Sequence, residues 1–371
     1  MTGLPQKQQT LNVALAHDWL NGMRGGERVL EILCGLFPNA PIYTLLAIPE
    51  MLSDPIRRHA IVSSPLQRVP GIHKRYRYFL PLFPKAVERM RPAHAELLIS
   101  TSHCVAKGIR APTGAKHLCY CFTPMRYAWL FYEEYFGPNP LKRLLLKPLL
   151  ARLRRWDRAA SDRVDRFVAI SRHVQRRIRD FYGRPSDIVY PPADTETFTP
   201  DGRAPGDYDL VVSALVPYKR VDLAVAAYSR LRRPLKIVGV GTESERLRAA
   251  AAPNVEFLGW QPDETILDLY RGCRALVFPG EEDFGIVPVE AQCCGRPVIA
   301  YGKGGALETV EASISGVFFQ EQTEEALMDA VDRSLARHWE PAAIRAHAEQ
   351  FGVDRFVDGL ATSIERCLSA G

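Results

Sequence analysis

ALVFPGEEDFGIVPVEAQCCGRPVIAYGKGGALETV, residues 275–310, is the stretch that decides the fold. Residues 275–278 are a short apolar run closed by Pro279-Gly280, which suits a buried strand better than a helix. The acidic turn Glu281-Glu282-Asp283 follows, and Gly285 then precedes a segment that reads as a helix from about Ile286. Residues 297–300 return to strand. Strand, turn, helix, strand is the repeating unit of a parallel sheet with helices on both faces.

Working outward, the same alternation continues. Residues 209–214, 235–238 and 255–258 read as strands, which makes five in the second half of the chain. In the first half, residues 11–16, 96–101 and 166–170 read as strands, and Ser171 suits the N-cap of a helix ending near Tyr182-Gly183. Residues 189–206 are rich in Pro and Gly, hold no regular element and mark an interdomain hinge. The 371 residues exceed the ~250–300 at which a single core tends to split. The expectation is an α/β chain of two doubly wound, Rossmann-like domains, 1–195 and 196–353. The carboxyl ends of their strands would face a cleft, where such sheets bind ligands.

Hydrophobic residues at 47% and charged residues at 24% exclude collagen, coiled coil and disordered tail. No run reaches the ~18–20 apolar residues that span a bilayer, and the polar start 1–10 lacks a signal-peptide pattern, so a cytoplasmic location is expected. Eight scattered cysteines without paired CxxC motifs predict reduced thiols rather than zinc or disulfides. The net charge of +6 is unevenly spread: 30 Lys+Arg against 15 Asp+Glu up to Thr195 gives +15, and 18 against 27 beyond it gives −9. A basic first half calls for an anionic partner. Its charge gathers in HKRYRYFL, residues 73–80, and LKRLLLKPLLARLRRWDR, residues 141–158, interrupted by Pro148. Such a helix can lie on an anionic membrane surface. Alternatively Leu144, Leu145, Leu149 and Leu153 face the protein's own core and the arginines are solvated. No zinc-finger or RNP-like motif points to nucleic acid.

Three elements carry candidate chemistry. Glu282 in the acidic turn and Glu290, eight residues on and just over one turn into the helix, place two carboxylates where both could hold ligand hydroxyls. The plain alternative is a solvated helix face. Gly285 permits close backbone approach at a helix start. Near the N-terminus a strand runs into His17-Asp18-Trp19 and then Arg24-Gly25-Gly26-Glu27, where Gly25 and Gly26 free main-chain N–H groups to meet a pyrophosphate, or simply form a βα loop. Lys219 and Arg220, in SALVPYKRVD, are cations suited to a diphosphate leaving group, or are ordinary surface charges. Neither Gly302-Lys303-Gly304-Gly305 nor the isolated Gly239-Val240-Gly241 matches a phosphate-loop fingerprint.

With these elements in order the chain resembles the retaining GT-B glycosyltransferases of family 4, over nearly its whole length. EDFGIVPVE, residues 282–290, looks like the family's E-x7-E motif, continued by AQCCGRPVIAYGKGGALETV. HDWLNGMRGGERVLE, STSHCVAKG, CYCFTPMRYAW, AISRHVQRRI with VYPPADTETF, and SALVPYKRVDLAV resemble a bacterial polysaccharide-assembly, mannosyltransferase-like branch. The resemblance implies that Glu282 binds donor-sugar hydroxyls, Glu290 the ribose and Lys219 the diphosphate. It further implies that Asp283, Phe284 and Gly285 meet the sugar through backbone amides, and Gly25 and Gly26 the pyrophosphate. A last helix, 354–371, would cross back to the first domain.

Two departures stand out. Ala214 replaces an Arg common five residues before the Lys, which would leave Arg220 as second cation. Phe122 replaces a His, which would leave His103 as the catalytic histidine. Arg126 would meet an acceptor phosphate. The expected reaction moves a sugar, GDP-mannose being the leading donor, onto a lipid-linked glycan acceptor at the inner membrane face, with no metal and no further cofactor. Two rivals stay open: a sugar-nucleotide epimerase or hydrolase of like fold, and a silent nucleotide- and membrane-binding subunit, to which Ala214 and Phe122 speak.

Overall fold

The computed structural model describes residues 4–130 and 140–369. The side chains of Lys7, Lys74 and residues 140–143, which include part of both basic segments, lie outside the described set, as do residues 1–3, 131–139 and 370–371. The chain forms two compact units, Met1–Tyr190 with Phe356–Gly371, and Pro191–Arg355.

The first unit is built on β1 (Val13–His17), β2 (Ile42–Thr44), β3 (Ile61–Ser63), β4 (Leu97–Ser102), β5 (Lys116–Cys121), β6 (Arg166–Ala169) and β7 (Ser186–Ile188). They pair in the order β3-β2-β1-β4-β5-β6-β7, every neighbour parallel. Every residue of β1, β2 and β4 is buried, as a sheet covered on both faces requires. On one face Trp19, Tyr76 and Phe83 pack over Ala14, Ala16 and Leu98. Ser171 caps the helix Arg172–Tyr182 by accepting from the Val174 N–H at 3.0 Å, and Gly183 at φ 69° ends it, as expected.

The second unit carries β8 (Asp209–Val212), β9 (Leu235–Val238), β10 (Val255–Gly259), β11 (Leu276–Phe278), β12 (Val298–Tyr301) and β13 (Gly316–Phe319) in the order β10-β9-β8-β11-β12-β13, again all parallel. In each sheet the strand order reverses once, between β1 and β4 and between β8 and β11. Those reversals are where doubly wound sheets take their ligands.

The helix Val353–Ser369 returns to the first unit. Phe356 meets Tyr120 edge-on at 5.6 Å, Gln8 donates to the Ala361 carbonyl at 2.9 Å, and a Cβ on Gly359 would lie 3.1 Å from Val189.

The basic helix Pro140–Ser161 runs unbroken through Pro148. The carbonyl that Pro148 cannot bond belongs to Leu144, an exposed residue. The core-packing reading holds for the C-terminal end of this helix and not for Leu144 and Leu145. Leu150 and Leu153 are buried and Leu149 and Trp156 pack on the core, whereas Leu144 and Leu145 are 61% and 70% exposed. Its inner end is anchored by Asp157, which pairs with the fully buried Lys107 and accepts from Trp129 Nε1 at 2.8 Å and the Tyr182 hydroxyl at 2.7 Å. All eight cysteines are buried and free.

Candidate active site

In the second unit the loop after β8 and the loop after β11 meet at the strand-order reversal. Lys219 Nζ lies 2.5 Å from Glu282 Oε1, with the two side chains 17% and 23% exposed. The ammonium also sits 5.3 Å from the centre of the Tyr218 ring. Close backbone approach brings the loops together, since a Cβ on Gly280 would stand 2.9 Å from the Lys219 carbonyl.

The acidic loop is clamped from its other side by the turn after β12. The Gly305 N–H donates to the Glu282 carbonyl at 2.8 Å. A Cβ on Gly304 would strike that same carbonyl, and one on Gly305 the Phe284 backbone. The GKGG run that is no phosphate loop therefore holds Glu282 in place. The Asp283 and Phe284 side chains are buried, Phe284 against Phe351 at 5.7 Å, and Gly285 adopts φ 92° at the start of the helix Ile286–Cys293. Glu290 lies in this helix as expected and accepts from the Tyr270 hydroxyl at 3.0 Å. Burial first, and the Glu290 charge second, push the Tyr270 phenol far above its ordinary range, so the hydroxyl stays a donor.

Arg220 behaves differently from Lys219. It takes the left-handed conformation, φ 52°, and its guanidinium is engaged by Asp222 at 3.2 Å and by Gln322 at 3.2 Å. Lys219 and Glu282 are thus brought together, while the Arg220 head is turned to other partners. Ala214 is exposed in the same loop. The Gly239-Val240-Gly241 turn packs backbone to backbone on this loop, with the Leu215 N–H donating to the Val240 carbonyl at 3.1 Å.

In the first unit Gly25 and Gly26 open the helix Gly25–Leu36, and Glu27 accepts from the Arg24 N–H at 3.2 Å. Nothing lies within 4 Å of a Cβ built on Gly25, whereas one on Gly26 would meet Phe122 at 3.3 Å. Phe122 stands 6.4 Å from both the His17 and the His103 rings. His17 is buried, bonded to Thr101 at 2.7 Å, and held down to about 4 by desolvation, so it is neutral. Burial raises the Glu27 carboxyl beside it.

His103 is 27% exposed and lies 3.1 Å from Asp18. Asp18, quoted in the sequence without a role, is the residue that sequence reasoning missed here. Arg126 begins the short helix Arg126–Trp129 after β5, and Thr123, just before that helix, accepts from Arg177 at 3.2 Å.

Two family models match the chain: Glycosyltransferase Family 4 over residues 23–197 and Glycosyl transferases group 1 over residues 203–351. D-inositol 3-phosphate glycosyltransferases of Gordonia bronchialis and Mycolicibacterium smegmatis are 29% identical over 246 residues and 31% over 209. These alignments cover 56% and 49% of this chain and 54% and 48% of the relatives, so the chain spans about half the length of the curated relatives it matches. The solved Anabaena HepE in complex with UDP and glucose has a TM-score of 0.68 at 18% identity, covering 97% of this chain and 100% of that one. That likeness is one of fold.

Proposed function

We propose that this chain, whose two matched domains and GT-B fold support a family 4 glycosyltransferase, transfers a sugar from a nucleotide-diphosphate sugar to an acceptor hydroxyl. The observation that carries this is the Lys219–Glu282 pair at the strand-order reversal of the second sheet, with Glu290 in the next helix. An ammonium and a carboxylate that partner each other at a partly exposed position exchange readily for a diphosphate and a sugar hydroxyl. As the C1–O bond breaks, charge grows on the diphosphate. Lys219 and main-chain N–H groups at glycine turns take it up more strongly than they hold the ground state.

Glu282 grips donor hydroxyls and Glu290, oriented by Tyr270, the ribose. The Asp283 and Phe284 side chains are buried, so that loop serves through its main chain. Gly25 and Gly26 offer N–H groups to a diphosphate. The reaction retains the anomeric configuration, the hydroxyl entering on the leaving-group face and the departing phosphate accepting its proton. Lys219 does the work of a divalent cation, so turnover persists in EDTA. Loss in EDTA with recovery in manganese contradicts that.

GDP-mannose is the donor we favour, on the branch the motifs resemble. The acceptor carries a phosphate that meets Arg126. A lipid-diphosphate-linked glycan of surface polysaccharide assembly has one, and so does the inositol phosphate named for the relatives. The exposed Leu144 and Leu145, on a helix rich in Arg and Lys, support peripheral attachment to an anionic membrane. No helix among the described residues is long and apolar enough to cross one. Vesicle co-sedimentation at low salt that fades at high salt is expected, and indifference to lipid charge favours a soluble acceptor.

The test is incubation with GDP-, UDP- and dTDP-sugars, scoring free nucleotide and glycan with and without lipid acceptor. Acceptor-dependent nucleotide release with a glycosylated product supports the proposal. Donor consumption without glycan points to an epimerase or hydrolase, and no consumption to a silent subunit.

A further inference from the structure

We infer that Asp18 is the positioning residue of His103, holding its ring as the Nδ1–H tautomer so that Nε2 carries a lone pair suited to a hydroxyl. Asp18 follows β1 and His103 follows β4, adjacent strands in register His17 to Thr101, at the point where the first sheet reverses its strand order. The Asp18 side chain is 0% exposed. Its Oδ2 accepts from the main-chain N–H groups of His103 at 2.6 Å and Cys104 at 2.9 Å, and its Oδ1 from those of Val105 at 2.6 Å and Ala106 at 2.7 Å. With four main-chain N–H groups aimed at its two oxygens, the Asp18 side chain serves as a hydrogen-bond acceptor.

His103 Nδ1 stands 3.1 Å from Oδ2 of that carboxylate. A ring nitrogen meets an acceptor-only group favourably when it carries the hydrogen, so Nδ1 donates and Nε2 of the neutral ring holds the lone pair. The ring plane is fixed independently. It sits edge-on to Trp19 at 4.6 Å and 89°, and Trp19 is wedged by Tyr76 at 5.1 Å and Phe83 at 6.2 Å. Asp18 thus sets the position of the backbone turn and the tautomer, while Trp19 sets the plane of the ring. A lone pair at Nε2 accepts from O–H and is repelled by phosphate oxygen, so this side chain recognises a hydroxyl. That the hydroxyl belongs to a sugar rests on the proposed transfer reaction; the tautomer does not.

The experiment is nitrogen-15 NMR of the histidine side chains in the full chain without substrate, at a pH well above the ordinary imidazole value of ~6.5. The His103 signals are identified by their loss in His103→Gln. A protonated Nδ1 with unprotonated Nε2 is expected, and an Nε2–H ring or an averaged mixture overturns the inference. In Asp18→Asn, whose folding is checked by circular dichroism, the tautomer preference is expected to vanish. A retained preference overturns the role of Asp18, and if that variant does not fold the wild-type spectrum decides. For the hydroxyl, His103→Gln keeps an acceptor and His103→Leu does not. Turnover about tenfold higher in the Gln variant is expected, and equal loss overturns that step while leaving the tautomer intact.

Discussion

The two sheets reverse their strand order at matching places, yet they equip those places differently. After β1 and β4 stands a carboxylate, Asp18, shut from solvent and saturated by four main-chain N–H groups. After β8 and β11 stands a partly exposed ion pair, Lys219–Glu282. The first cannot be parted without stranding buried donors, at ~1–3 kcal/mol for each one left unsatisfied. The Lys219–Glu282 pair keeps contact with solvent and strands no main-chain donors, so phosphate and hydroxyl groups of a ligand can replace each partner. Burial therefore divides the labour: one locus is rigid, and the other can exchange its partners.

The sharpest way to break this contrast is a matched pair of truncations. Asp18→Ala is expected to destabilise the first unit by ~3 kcal/mol or more, through unsatisfied N–H groups, as read by denaturant unfolding. Lys219→Ala is expected to cost less stability than Asp18→Ala while lowering kcat ~10²–10³-fold. Glu282→Ala follows with a loss above about tenfold, equivalent to ~1.4 kcal/mol in the barrier. Equal destabilisation by Asp18→Ala and Lys219→Ala breaks the comparison.

Acid separates the units next. His17 and His117 lie in the first unit, and desolvation holds both at about 4 against an ordinary 6.5. Below pH 6.5 the unfolded chain binds protons that the fold refuses, so stability falls between 6.5 and about 4, by ~3 kcal/mol for each histidine. The raised Glu27 carboxyl opposes this, gaining stability as pH falls, and the raised Asp209 does the same for the second unit. Hydrogen exchange is expected to show the first unit opening first; simultaneous opening contradicts the assignment.

Glycines sharpen the contrast at smaller scale. Gly305→Ala drives a methyl into the Phe284 backbone and is expected to lose stability and turnover together, by ~1–3 kcal/mol in stability. Gly25→Ala has open space, so its melting temperature is expected to hold while KM for the donor rises. The smallest effect is Tyr270→Phe, which frees Glu290 from one hydrogen bond and should raise KM for the nucleotide sugar by ~2–10-fold with kcat unchanged.

How legible each locus was follows from sequence distance. Glu282, Gly285 and Glu290 lie in one contiguous strand-turn-helix run, so local pattern placed them on their elements. Asp18 meets His103 only through the β1–β4 register, a pairing that no local pattern contains. Gly304 and Gly305 carried no role beyond failing the phosphate-loop fingerprint, because their partner is backbone at 282–284, a contact that a missing Cβ permits but does not announce. β2, β3 and β7 have three residues each, too few to show a period, and β5 opens on Lys116-His117, whose polarity hides a strand in which His117 is buried and bonded to Ser100 at 2.8 Å. Arg220 read as the twin of Lys219, and Asp222 and Gln322 made the difference.

The most direct test compares wild type and Lys219→Ala on whichever nucleotide sugar the panel identifies, following nucleotide release and glycan product at saturating acceptor, with folding checked by circular dichroism. The account predicts product from the wild type and a folded variant at least a hundredfold slower, in line with the loss of one preorganised charge partner. A folded Lys219→Ala chain that turns over at the wild-type rate contradicts it.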